Sequence, residues 1–516
     1  MVNRQSTTDN RQSAPCLSVL GTGSDVGKSI IATALCRIFS DMGLRVAPYK
    51  AQNMSNNSGV TPEGLEMGRA QIVQAEAART PPHVDMNPIL LKPTSDVGSQ
   101  VVLMGKAVSN ATARDYHERK QSFQTVVNGA LDRLKADFDL IVMEGAGSCA
   151  EVNLMEYDIV NLSMARYARA PVILVGDIHR GGIFAQMVGT LACLPEREQQ
   201  LIAGFIVNRF RGDITLFEDG KKWIENQTGK PVFGVLPWFS HFKIEAEDSV
   251  VIENPSTASI KTQPLPAVAV IRIPHISNFT DFDPLISTPG LNVYFVEKVQ
   301  DLSPCNAVII PGSKNTRFDL QWLHDTGWTE QLRSYAGAGG HILGICGGYQ
   351  MLGSVVRDPE GTEAKPGNTP GLSLLPIETE LKAPKTTTLS RFQWDNIQGT
   401  GYEIHMGQSV LTGGHPLFQM TERNGVSSRD TDGCISSKDN VMGTYMHGLF
   451  DTPALTRRWL GMIGLPDIAV SESSGYQERD RAYDLLAEHF KAHVDMEAIA
   501  RLVGSTNTHF LFHKTT

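Results

Sequence analysis

Short apolar runs that alternate with helix-length segments constrain this 516-residue chain more than any other feature. Runs at 17–20, 44–49, 138–143, 171–175, 202–207 and 232–236 form one series, and runs at 267–273, 307–310 and 341–345 begin a second. Such runs match parallel strands buried on both faces. Between the first two, Ile30, Ile31, Ala34, Leu35 and Ile38 recur at helical spacing across 28–42, and 66–79 reads as another helix. The pattern predicts an α/β fold with a mostly parallel sheet and helices on both faces, built twice. Residues 246–266 break the rhythm; they are rich in Ser, Thr, Pro and Glu, have no period, and read as a linker. Residues 364–376 are expected to be a surface loop, and helical patterns return from about 453, most clearly at 481–503. The expected boundaries are a flexible tail at 1–16, a first domain at 17–245, the linker at 246–266, and a second domain at 267–516 with a helical C-terminal tail.

The turn between the first strand and the first helix reads Gly21-Thr22-Gly23-Ser24-Asp25-Val26-Gly27-Lys28-Ser29. Backbone N–H groups in such a turn surround phosphate oxygens, and the helix start adds its positive dipole end. Lys28 is placed to neutralise terminal phosphate charge, and Ser29 to ligate Mg²⁺. The expected ligands are therefore ATP and Mg²⁺, with Thr22, Gly23, Ser24, Asp25, Val26, Gly27, Lys28 and Ser29 as the ATP-binding set. The usual spacing puts its first glycine at Thr22, which Gly21 and Gly23 flank. Glu144, after the run 138–143, and Asp25, in the loop, are candidate metal ligands beside Ser29, with a capping carboxylate as the lesser alternative for each. Ligands of open α/β sheets sit at the carboxyl ends of the strands. Lys50, Asn53, Asp177, Arg180, Asn208, Arg209 and Arg211 follow three of the predicted strands and are candidate substrate contacts.

The second half carries a different signature, HILGICGGYQMLG at 341–353. A strand enters Gly344-Ile345-Cys346-Gly347-Gly348 and a helix-compatible stretch leaves it, which is a nucleophile elbow with Cys in place of Ser. Small neighbours permit the strained turn, and the positive end of the next helix lies behind the sulfur. The alternative is a buried Cys in a Gly-rich turn. His447, in GTYMHGLF, is the candidate base. Pro311-Gly312-Ser313 follows the run 307–310, so a backbone N–H at Gly312 or Ser313, with that of Gly347, would form an oxyanion hole.

Composition narrows the function. Net charge is −9, so no global basic field exists and nucleic-acid binding is not expected as the main role. The 7 cysteines are scattered without a CxxC pair, which excludes a compact zinc or redox motif and suits a reducing compartment. The first 16 residues lack the apolar stretch of a signal peptide, and no run approaches membrane-helix length. A cytoplasmic protein with no membrane partner is expected, and a homo-oligomer is left open.

These motifs resemble known families. The second half is similar to class I glutamine amidotransferase domains, within their cobyric acid and cobyrinic acid diamide synthase branch. The first half resembles dethiobiotin synthetase through GTGSDVGKS, Tyr49-Lys50 and MEGAG at 143–147. KAQNMSNNS, NPILLKPTSD, DIHRGG, VNRFRGD, ISNFTDFDPL, PGSKNT, GYEIHMG and TYMHGLF extend the likeness from about 17 to 450. The resemblance implies an ATP-dependent synthetase domain at 17–245 and an amidotransferase domain at 267–516. It implies amidation of the b, d, e and g carboxylates of a corrinoid, adenosylcobyrinic acid a,c-diamide, with glutamine as nitrogen donor. Amidation of other cobyrinic acid positions, or of a cell-wall precursor, is the nearest rival. A partition-type switch ATPase is disfavoured, because its signature Lys falls on Gly23 here. The wider amidotransferase class places a Glu two residues after its His; this chain has Leu449 there. What orients His447 is therefore open, with Glu403 and His405 as candidates.

Overall fold

The computed structural model describes residues 13–95, 98–112, 120–239, 266–363 and 365–504. The first half is built on a six-stranded parallel sheet. Its order is Val232–Pro237, Ile202–Phe210, Val172–Asp177, Cys16–Gly21, Leu140–Glu144, Val46–Tyr49. The strand carrying the phosphate loop is central because its neighbours are reached by crossovers in both directions, and all six of its residues are buried. Parallel register places Glu144 opposite Val19 and Asn208 opposite Asp177, so both ends arrive at one edge with the loop. The sequence-predicted strands are all present.

The second half repeats the plan with parallel strands Asn292–Val296, Ala267–Ile271, Ala307–Ile310, His341–Ile345 and Val441–Thr444, and antiparallel Cys434–Ile435 at the edge. Each half also carries an antiparallel side sheet that the apolar runs did not announce. In the first half Ile89–Ser95, Gly98–Leu103 and Lys106–Thr112 form a meander. In the second, Thr386–Trp394, Ile397–His405 and Phe418–Arg423 pair antiparallel. In Thr386–Trp394 only Ser390, Phe392 and Trp394 are buried, in alternation, so that strand lacks a continuous apolar run.

Three expectations need adjustment. Residues 66–79 begin as strand Glu66–Gly68, and the helix is Arg69–Ala77. A Cβ on Gly68 would come within 2.8 Å of Asn53, so the chain passes too closely there for a larger residue. The predicted loop 364–376 contains strand Gly367–Pro370, paired with Val355–Asp358; as an edge strand it tolerates its proline. The tail pattern 481–503 is two helices, Gly475–His493 and Met496–Leu502. The first starts earlier than its apolar pattern because Ser474 and Gln477 form a reciprocal capping box.

The tail helices pack mainly on the first half, and Arg479 also reaches Asp451 of the second at 3.4 Å. Tyr483, Leu486, Ala487 and Phe490 join Ile31, Leu35 and Ile38 of helix Lys28–Asp41 in the first half's core. Arg37 is fully buried there, 2.8 Å from Asp480 and 2.7 Å from Asp484. The Tyr483 hydroxyl donates to Glu76 at 2.8 Å. Most of the expected linker, residues 246–265, lies outside the described residues, as do residues 1–12 of the expected N-terminal tail.

Candidate active sites

The phosphate loop is held from both sides. Lys28 Nζ donates to the carbonyls of Gly23 and Gly147, each at 2.9 Å, and so spans the loop and the turn after the next strand. Gly27 has φ 98°, and a Cβ there would meet Asn208 Nδ2 at 2.1 Å; Asn208 uses that approach to donate to the Val26 carbonyl at 2.9 Å. Asp25 is gripped by Arg209 at 2.9 Å and Arg180 at 3.0 Å, and Arg209 also reaches Asp177 at 2.9 Å. Asp177 in turn accepts the His179 N–H at 2.7 Å. Arg211 lies over the Trp238 ring at 4.0 Å. Thus Asn208, Arg209, Arg180 and Asp177, singled out as ligand candidates, brace the loop itself.

Across the same edge, Ser29 Oγ donates to Glu144 at 2.8 Å. The Glu144 carboxylate is buried and also accepts from Lys50 Nζ at 3.0 Å and from Gln74. Asn53 Nδ2 donates to Gln71 at 3.0 Å. Ser29 and Glu144 are hard oxygen donors side by side, the chemistry Mg²⁺ selects, whereas the Asp25 oxygens are committed to arginines. No group of three or more His, Cys, Asp or Glu side chains placed to hold a metal occurs among the described residues. An ion here therefore needs ligand oxygens, such as phosphates, to complete its shell.

The thiol site lies where strand His341–Ile345 breaks into helix Gly347–Leu352. Cys346 adopts φ 52° and ψ −109°, the strained elbow that its small neighbours allow. A Cβ on Gly347 would stand 2.8 Å from the Ser313 nitrogen, and one on Gly312 would stand 3.3 Å from the His447 ring. Gly347, Gly312 and His447 therefore converge around the sulfur. The Cys346 thiol donates to the Ile404 carbonyl at 3.5 Å.

His447 is fully buried, and its Nδ1 is 2.7 Å from Asp281 Oδ2. The other Asp281 oxygen accepts the Gly448 N–H at 3.0 Å. Burial disfavours the imidazolium, but the Asp281 charge and hydrogen bond, aided by the Cys346 sulfur within bonding reach, outweigh it and push His447 up to about 10. Asp281 thus does what the missing Glu would do, from a different segment. It sits in ISNFTDFDPL, 166 residues from His447, and no local spacing links the two. Leu449 is buried in apolar packing.

Glu403 and His405 do not orient His447. Glu403 accepts from Ser390 at 2.9 Å and pairs with Arg423 at 3.0 Å. His405 stacks on Tyr445 at 3.7 Å and stands 3.5 Å from Glu403. Burial would raise the Glu403 pKa, but His405 and Arg423 hold it below its usual value.

The two halves meet across a charged seam. Glu66 and Lys92 of the first half pair at 2.8 Å, and Lys385 of the second reaches Glu66 at 2.6 Å. Burial opposes the Glu66 charge, yet Lys385 and Lys92 hold its carboxyl well below the usual range. Burial pulls Lys385 down to about 7 against the pull of Glu66. The Ser58 N–H, from the first half, donates to Asn278 Oδ1 at 3.0 Å. Neither Asn278, Asp281 nor this seam was singled out from the sequence, although each lies in or near a quoted motif.

Comparison with known proteins assigns both halves. Residues 17–251 match the CobQ/CobB/MinD/ParA nucleotide binding domain, and residues 267–455 match the CobB/CobQ-like glutamine amidotransferase domain. A cobyric acid synthase from Chlorobium phaeobacteroides (strain BS1) is 52% identical over 95% of this chain and 99% of that protein. One from Chlorobaculum tepidum is 50% identical over 95% and 98%, and one from Syntrophobacter fumaroxidans 45% identical over 95% and 98%. No helix among the described residues is long and apolar enough to cross a membrane.

Proposed function

The chain belongs to the cobyric acid synthase family, and on that premise we propose how its two sites divide the reaction. The overall change is ATP- and glutamine-dependent amidation of the b, d, e and g carboxylates of adenosylcobyrinic acid a,c-diamide. In the second half Cys346 attacks the side-chain carboxamide of glutamine. His447 Nε2 takes the thiol proton and passes it to the departing ammonia, while Asp281 fixes the ring from Nδ1. The N–H groups of Gly312 and Gly347 receive the developing oxyanion. Water then frees glutamate from the sulfur.

When bound, ATP and Mg²⁺ supply the phosphoryl group and the charge balance that turn a corrinoid carboxylate into an acyl donor. Ser29 and Glu144 would hold the ion, and the loop from Thr22 to Lys28 would cradle the phosphates. Lys28, whose Nζ lies between the Gly23 and Gly147 carbonyls, would neutralise phosphate charge. Lys50, beside Glu144, steadies negative charge at the same edge. Asn208, Arg209, Arg180 and Asp177 keep the loop in shape.

The observation that carries this reading is the Cys346 elbow beside His447 and Asp281, in one chain with a Lys28–Ser29–Glu144 phosphate edge. Mass spectrometry of a corrinoid incubated with enzyme, ATP, Mg²⁺ and glutamine tests it. A ladder of four carboxylate-to-amide conversions is expected. Turnover on the a and c carboxylates instead, or none on any corrinoid, would overturn it. Replacing glutamine by ammonia should preserve the ladder in Cys346→Ala.

A further inference from the structure

Gln71 and Gln74 stand three residues apart on helix Arg69–Ala77, so they share one of its faces, and both are fully buried. Each has half of its amide in use. Gln74 Nε2 donates to Glu144, the carboxylate that Ser29 and Lys50 also reach. Gln71 Oε1 accepts from Asn53 Nδ2 at 3.0 Å. The other halves, Gln74 Oε1 and Gln71 Nε2, are shut off from solvent and meet no protein partner. Buried amide groups left unmatched are costly, so an unmatched pair on the ligand edge points to a ligand that supplies the missing bonds.

Glu144 decides which end of the Gln74 amide is which. A carboxylate already holding Ser29 and Lys50 only accepts, so it takes the Gln74 nitrogen and leaves the oxygen as the unmatched group. An unmatched acceptor is out of character with this edge. ATP phosphates and a corrinoid carboxylate bring oxygen lone pairs, which would face the Gln74 oxygen lone pair to lone pair. What that oxygen needs is an N–H.

Ammonia is the reactant that has to bring one to the activated carboxylate. The a and c carboxamides of the corrinoid also carry N–H groups. Gln74 is bonded to Glu144 itself, however, where the substrate group within reach is the one being activated and not a finished amide. Gln71 Nε2 adds the complement, a donor one helical turn away, suited to an acyl oxygen. An acceptor and a donor side by side match the N–H and C=O of one primary carboxamide, the group that this reaction makes.

We propose that Gln71 and Gln74 are catalytic residues of the amide-forming step, holding the two ends of the amide as it forms. The ammonia lone pair attacks the acyl carbon, and the bond from that carbon to the phosphate oxygen breaks. Phosphate leaves with the electron pair and takes one proton from the nitrogen. Gln74 Oε1 accepts an N–H of the ammonia and so aims its lone pair at the carbon. Gln71 Nε2 donates to the acyl oxygen as negative charge develops on it. Neither glutamine gains or loses a proton. The inference rests on the reading of the phosphate edge as the place where the carboxylate is activated.

The test separates activation from capture in the full-length chain, with ammonium in place of glutamine. ATP isotopically labelled in its β,γ-bridging oxygen reports activation: reversible phosphoryl transfer to the corrinoid scrambles the label into the non-bridging β positions. Gln74→Met keeps the length of the side chain and has no carbonyl. In it the label should scramble as in wild type, while the KM for ammonia rises about fivefold, the worth of one ordinary hydrogen bond. The KM for the corrinoid should stay unchanged, and more ATP should be spent per amide. An ammonia KM equal to wild type overturns the proposal. So does loss of scrambling together with amidation, the result expected if Gln74 served activation or held Mg²⁺. Should Gln74→Met not fold, Gln71→Met decides: amidation slowed at saturating ammonia with scrambling intact supports the proposal, and amidation at the wild-type rate refutes it. If wild type makes no amide from ATP and ammonia on any corrinoid, the reading of the phosphate edge fails and takes the proposal with it.

Discussion

Replacing Asp281 by Asn asks the most of the site geometry, since it keeps the shape and removes the charge that faces His447. The rise of His447 from 6.5 to about 10 corresponds to about 5 kcal/mol of preference for the imidazolium. Burial opposes that preference and Asp281 is the foremost group restoring it, ahead of Cys346, so losing its charge weakens the imidazolium that must form as the thiol gives up its proton. The tautomer adds to this. Gly448 N–H will hold the Asn oxygen, which turns the Asn nitrogen toward Nδ1 and drives the ring proton to Nε2. Nε2 then cannot accept the thiol proton; the same fault in a serine-protease triad lowers turnover by about 10⁴. Glutaminase activity of Asp281→Asn should therefore fall between about 10² and 10⁴, while amidation from ammonia continues. Stability should follow the same group. His447 is raised in the folded protein, so its contribution is complete below about 6.5 and disappears as pH climbs through about 10. The wild-type melting temperature should drop over that window and that of Asp281→Asn should drop less. Glutaminase near the wild-type level in a folded Asp281→Asn would refute the assignment.

The other expectations concern the first half. Glu144→Gln should weaken the response of amidation to Mg²⁺ and lower its rate from either nitrogen source; a Mg²⁺ titration identical to wild type would remove Glu144 from the ion site. Lys28→Ala should abolish amidation with glutamine or ammonia, and measurable ATP-dependent amide formation at the normal rate would contradict its role. Arg37→Leu should lower stability by about 2 kcal/mol in chemical denaturation, because a buried cation between two carboxylates is lost.

The parallel sheets were readable because their strands are buried on both faces and so appear as unbroken apolar runs. The phosphate loop and the Cys346 elbow were readable because their chemistry is local: nine consecutive residues in one case, five in the other. What escaped was long-range. Phe392 and Trp394 face a core while Arg391 is exposed, an alternation that signals a strand but not its partner. Asp281 belongs to a motif that was quoted without a role, and only the fold brings it to His447. Arg209 and Asn208 were expected at the ligand edge as substrate contacts; in the fold Arg209 pairs with Asp25 and Asn208 donates to the Val26 carbonyl, contacts between segments that no local pattern announces. Tyr483, Leu486 and Phe490 mark an amphipathic helix, but periodicity names a face and not the surface it covers.

That helix has a consequence for how the protein is made. Folding during synthesis proceeds from the N-terminus as residues emerge. Here the part of the first half's core that Tyr483, Leu486, Phe490 and Ile499 complete stays open until those residues leave the ribosome. The amidotransferase sheet, whose last strand ends at Thr444, is complete earlier. The nucleotide half is therefore the first to be translated and the last to close, and a chain released early exposes an unfinished core that quality control can recognise.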